Sequence, residues 1–268
     1  MAIPIICFDL DGTLLDGKNQ IHPNDLEILK NNREVLLVPC TGRPIDSVEA
    51  MFHANGLFQD EALPLPVITQ NGSSIHLPGG EVLEYASFPK AIQDQLISIF
   101  QDFPQASYML MEKTQTVLLF PNDLGIYWLE RFSAKWTAYT REASQLSFGK
   151  ATCLSADSHL IRTLAARLKD LPLEAGLSLS SVFDINPQGI SKRTGILNLM
   201  QSLQIEDAPI YVAGDGENDL DLFKLAKVSF SPVTSTAAVK NQADVVVDVS
   251  SGGLLSKMIE TAFSFSLL

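Results

Sequence analysis

Two short apolar runs at opposite ends of this chain break off in the same way, and that shared ending constrains the fold more than any other feature. Ile3-Pro4-Ile5-Ile6-Cys7-Phe8 runs into Asp9-Leu10-Asp11-Gly12-Thr13, and Ile210-Tyr211-Val212-Ala213 runs into Gly214-Asp215-Gly216-Glu217-Asn218-Asp219. Apolar runs of this length, rich in β-branched residues and closed by glycine turns, read as buried strands of a parallel sheet. In an open α/β sheet the strand ends are also where ligands bind. Asp9 and Asp11 are both expected to be ionised near neutral pH, since an isolated Asp has a pKa of about 3.9. Two such charges side by side call for a compensating cation, and Mg²⁺ with a phosphate group suits an all-oxygen site.

Each run also has a plainer reading. Asp-Gly between apolar segments is a hairpin signal, and Asp ahead of a helical pattern is a common N-cap. The glycine spacing after Ala213 resembles the start of a dinucleotide-binding fingerprint. Its third position, however, is Asp219 in place of Gly or Ala, and Asp215 would face a pyrophosphate with like charge. An EF-hand loop begun at Asp215 needs glycine at its sixth position, where Leu220 stands. A Mg²⁺ site asks only for a few carboxylates, water and phosphate oxygens, and fits better.

The segments between the two runs set the organisation. Helical spacing over 24–31 and 45–54 alternates with strand-like runs at 34–40 and 67–69, which is the pattern of a parallel α/β sheet. The pattern changes between residues 73 and 184. A hairpin is expected at 73–77 and 81–86, helices at 89–102, 124–140 and 158–169, and strands at 107–111, 115–120, 151–155 and 177–184. Hairpins mixed with helices point to an α+β module inserted in the first fold. Alternation returns with a helix at 191–203 and a strand at 208–213. A helix at 218–226, strands at 228–230 and 244–247 and a final helix at 254–263 follow. The α/β domain is therefore read as discontinuous.

With 268 residues, 46% of them hydrophobic, the chain can bury a large core as one large domain or two smaller ones. A formal net charge of −12 argues against nucleic acid or an anionic membrane surface as partner. It also repels an anionic substrate at long range, so a local metal and a few basic groups must do the binding. Cys7, Cys40 and Cys153 read as buried reduced thiols, with Cys40 packing rather than acting as a nucleophile because no basic partner adjoins it. His22, His53, His76 and His159 lack metal-ligand spacing. No secretory signal or membrane span is read, and a cytoplasmic location is expected.

Two further elements carry chemistry. Thr41-Gly42 offers a hydroxyl and a close-approach amide at another strand end, the makings of a phosphate cradle, although Thr-Gly before a helix also serves as a turn and cap. Lys192, in Gly189-Ile190-Ser191-Lys192-Arg193-Thr194-Gly195, begins a helix, where the macrodipole disfavours a cation. A lysine placed there is of more interest than one on a solvated face.

In this order the four elements resemble the haloacid dehalogenase-like phosphatase superfamily, and the resemblance covers the whole chain. Asp9-Leu10-Asp11-Gly12-Thr13 matches its first motif, Thr41-Gly42-Arg43 its second, Lys192 its third, and Gly214-Asp215-Gly216-Glu217-Asn218-Asp219 its fourth. The large insert, preceded by Gln70-Asn71-Gly72, resembles the cap of the Cof-type subfamily, which includes sugar-phosphate phosphatases. Arg193 departs from the glycine common there after the lysine.

The resemblance implies an α/β fold: a doubly wound, Rossmann-like parallel-sheet core from residues 1–84 and 185–268, with an inserted α+β cap over 85–184 that sets substrate specificity. It implies a Mg²⁺-dependent phosphatase of small phosphate monoesters, sugar phosphates or related metabolites. Asp9 is then the nucleophile that becomes an aspartyl-phosphate, and Asp11 the general acid and base. Thr41, Gly42, Lys192 and Asn218 hold the phosphoryl oxygens. Asp9, the main-chain carbonyl of Asp11, and Asp215 hold the metal, with Asp219 supporting it from behind, and Arg43 bracing its loop. A phosphotransferase or phosphomutase of the same superfamily, and a non-catalytic phosphate sensor on the same fold, remain as alternatives.

Overall fold

A computed structural model of the chain describes residues 3–57, 62–140 and 146–264. The first strand, β1 (Ile5–Phe8), is followed by α1 (Pro23–Asn31), β2 (Leu36–Pro39) and α2 (Ile45–Ala54). Pro23 occupies the first turn of α1, where its missing N–H costs nothing. Next come β3 (Val67–Thr69), β4 (Ser74–His76) and β5 (Val82–Tyr85), which form a small antiparallel sheet. The insert contains α3 (Lys90–Gln101), β6 (Ser107–Glu112), β7 (Thr116–Leu119), α4 (Asp123–Phe132), β8 (Trp136–Ala138), β9 (Phe148–Leu154), α5 (Ser158–Leu168), β10 (Leu173–Leu179) and β11 (Val182–Pro187). The chain then returns through α6 (Lys192–Ser202), β12 (Ile210–Ala213), α7 (Leu220–Phe223), β13 (Val228–Pro232), α8 (Ala237–Lys240), β14 (Val245–Val247) and α9 (Leu255–Ser264).

The core sheet is parallel throughout, in the order β14-β13-β12-β1-β2. Side chains of a strand alternate between faces, and β1 shows this directly. Ile6 and Phe8 join the apolar cluster that contains Leu29 of α1, Phe52 of α2 and Met258 of α9. Ile5 and Cys7 join the opposite cluster, with Ile196 and Leu199 of α6 and Leu222 of α7. Helices therefore cover both faces, which is why the central strands read as unbroken apolar runs. Phe8 pairs with Ala213 on one side and Pro39 on the other. That register brings the segments after β1, β2 and β12 to the same edge of the sheet.

The inserted cap is built on a mixed sheet, order β10-β11-β9-β6-β7-β8, with only β7 and β8 parallel. Its alternation is what equips the site. Tyr108 and Leu110 of β6, Ala151 and Cys153 of β9, and Phe183 and Ile185 of β11 pack under α3 and α5. The other face carries Met109 and Met111, then Lys150, Thr152 and Leu154, then Val182 and Asp184, and these residues line a cavity against the core.

Some local expectations change. The helix expected over 124–140 stops at Phe132, because Ser133 turns left-handed (φ 51°) and Trp136–Ala138 pairs with β7 instead. The strand expected at 177–184 is two strands, β10 and β11, joined by a turn at Ser180-Ser181. β3 touches the parallel sheet only through the Cys40–Ile68 bridge and otherwise pairs antiparallel with β4. The helix expected over 218–226 is a 3₁₀ turn, Glu217–Asp219, leading into the four-residue α7. The three cysteines are free and buried. No helix among the described residues is long and apolar enough to cross a membrane.

Candidate active site

Asp9 leaves β1 with its amide bonded to the Ala213 carbonyl at 3.0 Å, so its carboxylate stands beside the loop after β12. Lys192 meets it there. The helix α6 opens on a capping box in which Ser191 Oγ accepts from the Thr194 amide, and this fixes the first turn that carries Lys192. The lysine is 1% exposed, and its ammonium lies 2.8 Å from Asp9 Oδ1 and 2.7 Å from Asp219 Oδ1. Asp219 is fully buried, and its other oxygen accepts from the amides of Asp215 (3.2 Å) and Gly216 (3.1 Å). Thr13 Oγ1 donates to Asp215 Oδ1 at 3.1 Å.

The electrostatics of this cluster are unbalanced. Burial works against the Lys192 charge, but Asp219 and Asp9 overcome it and hold the lysine above its ordinary range. Burial also pushes Asp9 up, with the nearby charges of Asp219, Asp215 and Asp11 adding to it against the pull of Lys192. Asp215 is raised to about 6, first by burial and then by the Asp219 charge. Asp9, Asp215 and Asp219 each offer an oxygen, and these atoms all lie within 4.8 Å of one another. Such an all-oxygen, electron-rich donor set suits a hard divalent cation. Both oxygens of Asp219 are engaged, one by Lys192 and the other by two amides, whereas Asp9 meets Lys192 and Asp215 meets Thr13 through Oδ1 alone; Asp219 is placed to hold the loop and lysine around them.

The Asp11 carboxylate points elsewhere. Arg43 grips it with Nε at 2.7 Å and Nη2 at 2.5 Å, a paired contact of the strong, geometrically specific kind. Arg43 is 2% exposed, donates also to Asn19 Oδ1 at 3.1 Å, and stacks 4.8 Å from the ring centroid of Phe132 on cap helix α4. It therefore braces more than its own loop: it ties Asp11 to the cap.

Thr41 and Gly42 are held from both sides. The Thr41 carbonyl accepts from the Asn71 amide at 2.9 Å, and a trans peptide then turns the Gly42 N–H the opposite way. Thr41 Oγ1 accepts from the Arg43 amide at 3.2 Å. The Gly42 carbonyl accepts from the Lys150 ammonium, reaching over from β9, at 3.0 Å. Asn218 is half-buried and lines the same space.

These groups surround one cavity of about 270 Å³ between core and cap. Asp9, Asp11, Thr41, Gly42, Asp215 and Asn218 line its core side. All the site residues expected from sequence thus gather in one place, Lys192 against Asp9 and Asp219 at its base. The cap contributes groups that the sequence reading missed. Lys150 pairs with Asp184 at 2.9 Å, and Asp184 also accepts from Asn71 Nδ2 (3.0 Å), Thr152 Oγ1 (2.8 Å) and Ser178 Oγ (2.6 Å). Burial alone would raise Asp184, but the Lys150 charge and the hydrogen bonds from Ser178, Lys150 and Thr152 hold it below its ordinary value. The one signal available in the sequence was a charged residue within each apolar strand, Lys150 in Phe148–Leu154 and Asp184 in Val182–Pro187.

A family model of haloacid dehalogenase-like hydrolases matches residues 6–258. The chain belongs to that family. A phosphoglycolate phosphatase of Natronomonas pharaonis is 23% identical over 252 residues, covering 93% of each chain. The 5-amino-6-(5-phospho-D-ribitylamino)uracil phosphatase YwtE of Bacillus subtilis is 25% identical over 249 residues, covering 82% of this chain and 84% of its own. Among solved structures, the subclass IIB sugar phosphatase BT4131 superposes with a TM-score of 0.79 at 19% identity, covering 96% of this chain and 98% of its own. The haloacid dehalogenase-like fold seen here is therefore that of the large-capped, Cof-type members, a parallel core with a mixed-sheet cap.

Proposed function

We propose that this hydrolase is a Mg²⁺-dependent phosphatase of small phosphate monoesters that works through a phosphorylated Asp9. The observation that carries the reading is the convergence of Asp9, Lys192, Asp215 and Asp219 at the strand ends, beside a backbone cradle at Thr41-Gly42. Asp9, Asp215 and the Asp11 main-chain carbonyl would hold Mg²⁺. When bound, the metal would neutralise the carboxylates and the phosphoryl oxygens and so let two anions approach. Lys192, the Gly42 amide, Thr41 and Asn218 would take the remaining phosphoryl oxygens, where charge builds in the transition state.

In the first step an Asp9 oxygen bonds to phosphorus as the ester P–O bond breaks, and Asp11 gives its proton to the departing alkoxide. In the second, Asp11 takes a proton from water, the resulting hydroxide attacks phosphorus, and the Asp9–phosphorus bond breaks to release phosphate. Arg43 holds the Asp11 carboxylate through two hydrogen bonds, at Nε and Nη2. Donation in the first step requires that grip to loosen as the leaving group enters.

We take residues 85–184 as the cap that closes the site and discriminates substrates. A cavity of about 270 Å³ supports an ester of metabolite size. The decisive assay is phosphate release from p-nitrophenyl phosphate with and without Mg²⁺. Turnover that requires the metal supports the reading, and no turnover over a broad panel of phosphorylated metabolites would leave a phosphate sensor in its place.

A further inference from the structure

Beyond the phosphoryl groups, the cavity is walled by the cap, and this wall is what a leaving group meets. Met109 and Met111 of β6 form one side, with Trp128, Arg131 and Phe132 of α4 around them. Several polar groups of the wall are engaged, whereas the buried Trp128 Nε1 has no hydrogen-bond partner among the described residues. Thr152 and Ser178 donate their hydroxyl hydrogens to Asp184, and Lys150 spends two hydrogens on Asp184 and the Gly42 carbonyl. Arg131 is different. Among the described residues its guanidinium has the Trp128 ring, 5.8 Å away, and no carboxylate partner.

Building on the phosphatase reading, we propose that the leaving group is a flat, single-ring alcohol, apolar over its faces, with one anionic edge received by Arg131. The cavity, about 270 Å³, must hold the phosphoryl group as well as the leaving group, which favours a compact, one-ring body. Thioethers and aromatic rings make favourable contacts with a ring face. A guanidinium presents a planar fork that matches a carboxylate. An open polyol is a poorer occupant, since its hydroxyls lose water against the apolar side chains of Met109, Met111, Leu154 and Leu179.

Four probes test this: 4-carboxybenzyl phosphate, benzyl phosphate, sorbitol 6-phosphate and p-nitrophenyl phosphate. The expected order of kcat/KM is 4-carboxybenzyl above benzyl by ten-fold or more, and benzyl above sorbitol 6-phosphate. Arg131→Met should bring the ratio of the first two close to one, and Arg131→Lys, which keeps the charge but not the fork, should leave an intermediate ratio. Thermal melting of both variants checks that they are folded. Preference for sorbitol 6-phosphate over benzyl phosphate, or a carboxylate advantage that survives in Arg131→Met, overturns the proposal. Turnover of p-nitrophenyl phosphate alone overturns the leaving-group class and spares the phosphatase reading, whereas inertness toward all four with Mg²⁺ removes both.

Discussion

Lys150 and Gly42 join the cap to the core: the lysine ammonium, buried in the middle of the cap sheet, donates to the Gly42 carbonyl at 3.0 Å. A methyl group on Gly42 would lie 2.9 Å from that ammonium and 3.0 Å from Asn71 Oδ1, so the close approach depends on glycine. Asp184 balances the lysine charge at 2.9 Å. The Gly42 backbone is therefore oriented by a residue of the cap as well as by Asn71 of the core.

This predicts an asymmetry between single and double variants. Lys150→Met leaves Asp184 buried without its cation, which costs about 3–5 kcal/mol. Adding Asp184→Asn removes the stranded charge and keeps one carbonyl oxygen that can accept from Thr152, with an amide that can donate to the Ser178 hydroxyl, so the double variant should regain most of that stability. Its kcat should nonetheless fall by about ten- to a hundred-fold, since a hydrogen bond to a charged group is worth about 1.5–3 kcal/mol. Denaturant melts and steady-state kinetics check both halves, and equal melting of single and double variants would show that the pair is not coupled.

Gly72 sets how close the helix bearing Lys192 can come. It has φ +107°, and a Cβ there would sit 2.1 Å from the Ser191 carbonyl oxygen, which is backbone and cannot swing aside. Gly72→Ala should cost about 3 kcal/mol or more through strain and displacement of the α6 N-terminus. Chemical denaturation measures it, and a loss below about 1 kcal/mol would mean that this approach is not tight.

Much of this core was readable from the chain because the central strands are buried on both faces and end in residues that strands do not favour. Asp9, Thr41 and Asp215 stand where apolar runs stop, so position and chemistry coincide. The Lys150–Asp184 pair was hidden for the opposite reason: each is a lone charge inside an apolar strand, and its meaning depends on which strands are neighbours. The Arg43 grip on Asp11 is likewise a relation in space. The overextended helix after Leu124 has a local cause, because apolar residues keep helical spacing past Phe132 and the left-handed stop at Ser133 uses neither glycine nor proline.

His76 gives a pH signature remote from the reacting groups. It lies buried on β4, with Nε2 2.9 Å from Ser74 Oγ and 3.4 Å from Thr69 Oγ1, and burial, followed by the Lys113 charge, lowers it to about 4. The unfolded chain takes this proton near pH 6.5, the folded chain only near 4. A depressed histidine therefore removes stability as pH falls through that window, by about 3 kcal/mol in all. The stability advantage of the wild type over His76→Gln should shrink across the same window in urea titrations. A gap that does not change with pH contradicts the assignment.

The acidic cluster predicts opposite effects on stability and activity. Asp9, Asp215 and Asp219 crowd one ammonium, so Asp215→Asn should raise the melting temperature in the absence of Mg²⁺ by relieving repulsion. The same change should abolish the Mg²⁺-induced rise in melting temperature that is expected of the wild type. It should also lower turnover by more than the roughly 100-fold that loss of a supporting hydrogen bond to a ligand costs. Near-normal turnover in the folded variant would remove Asp215 from the metal site.

We propose that Asp9 carries the phosphoryl group while Asp11 moves protons, and trapping with labelled substrate separates the two roles. Asp9→Asn should form no phosphorylated enzyme with any substrate. Asp11→Asn keeps the nucleophile but loses the base that activates water. With an aryl phosphate, whose leaving group needs little protonation, label should therefore accumulate on the protein, and peptide mapping should place it on Asp9. Label on another residue, or normal turnover by the Asp9→Asn protein, would contradict the account.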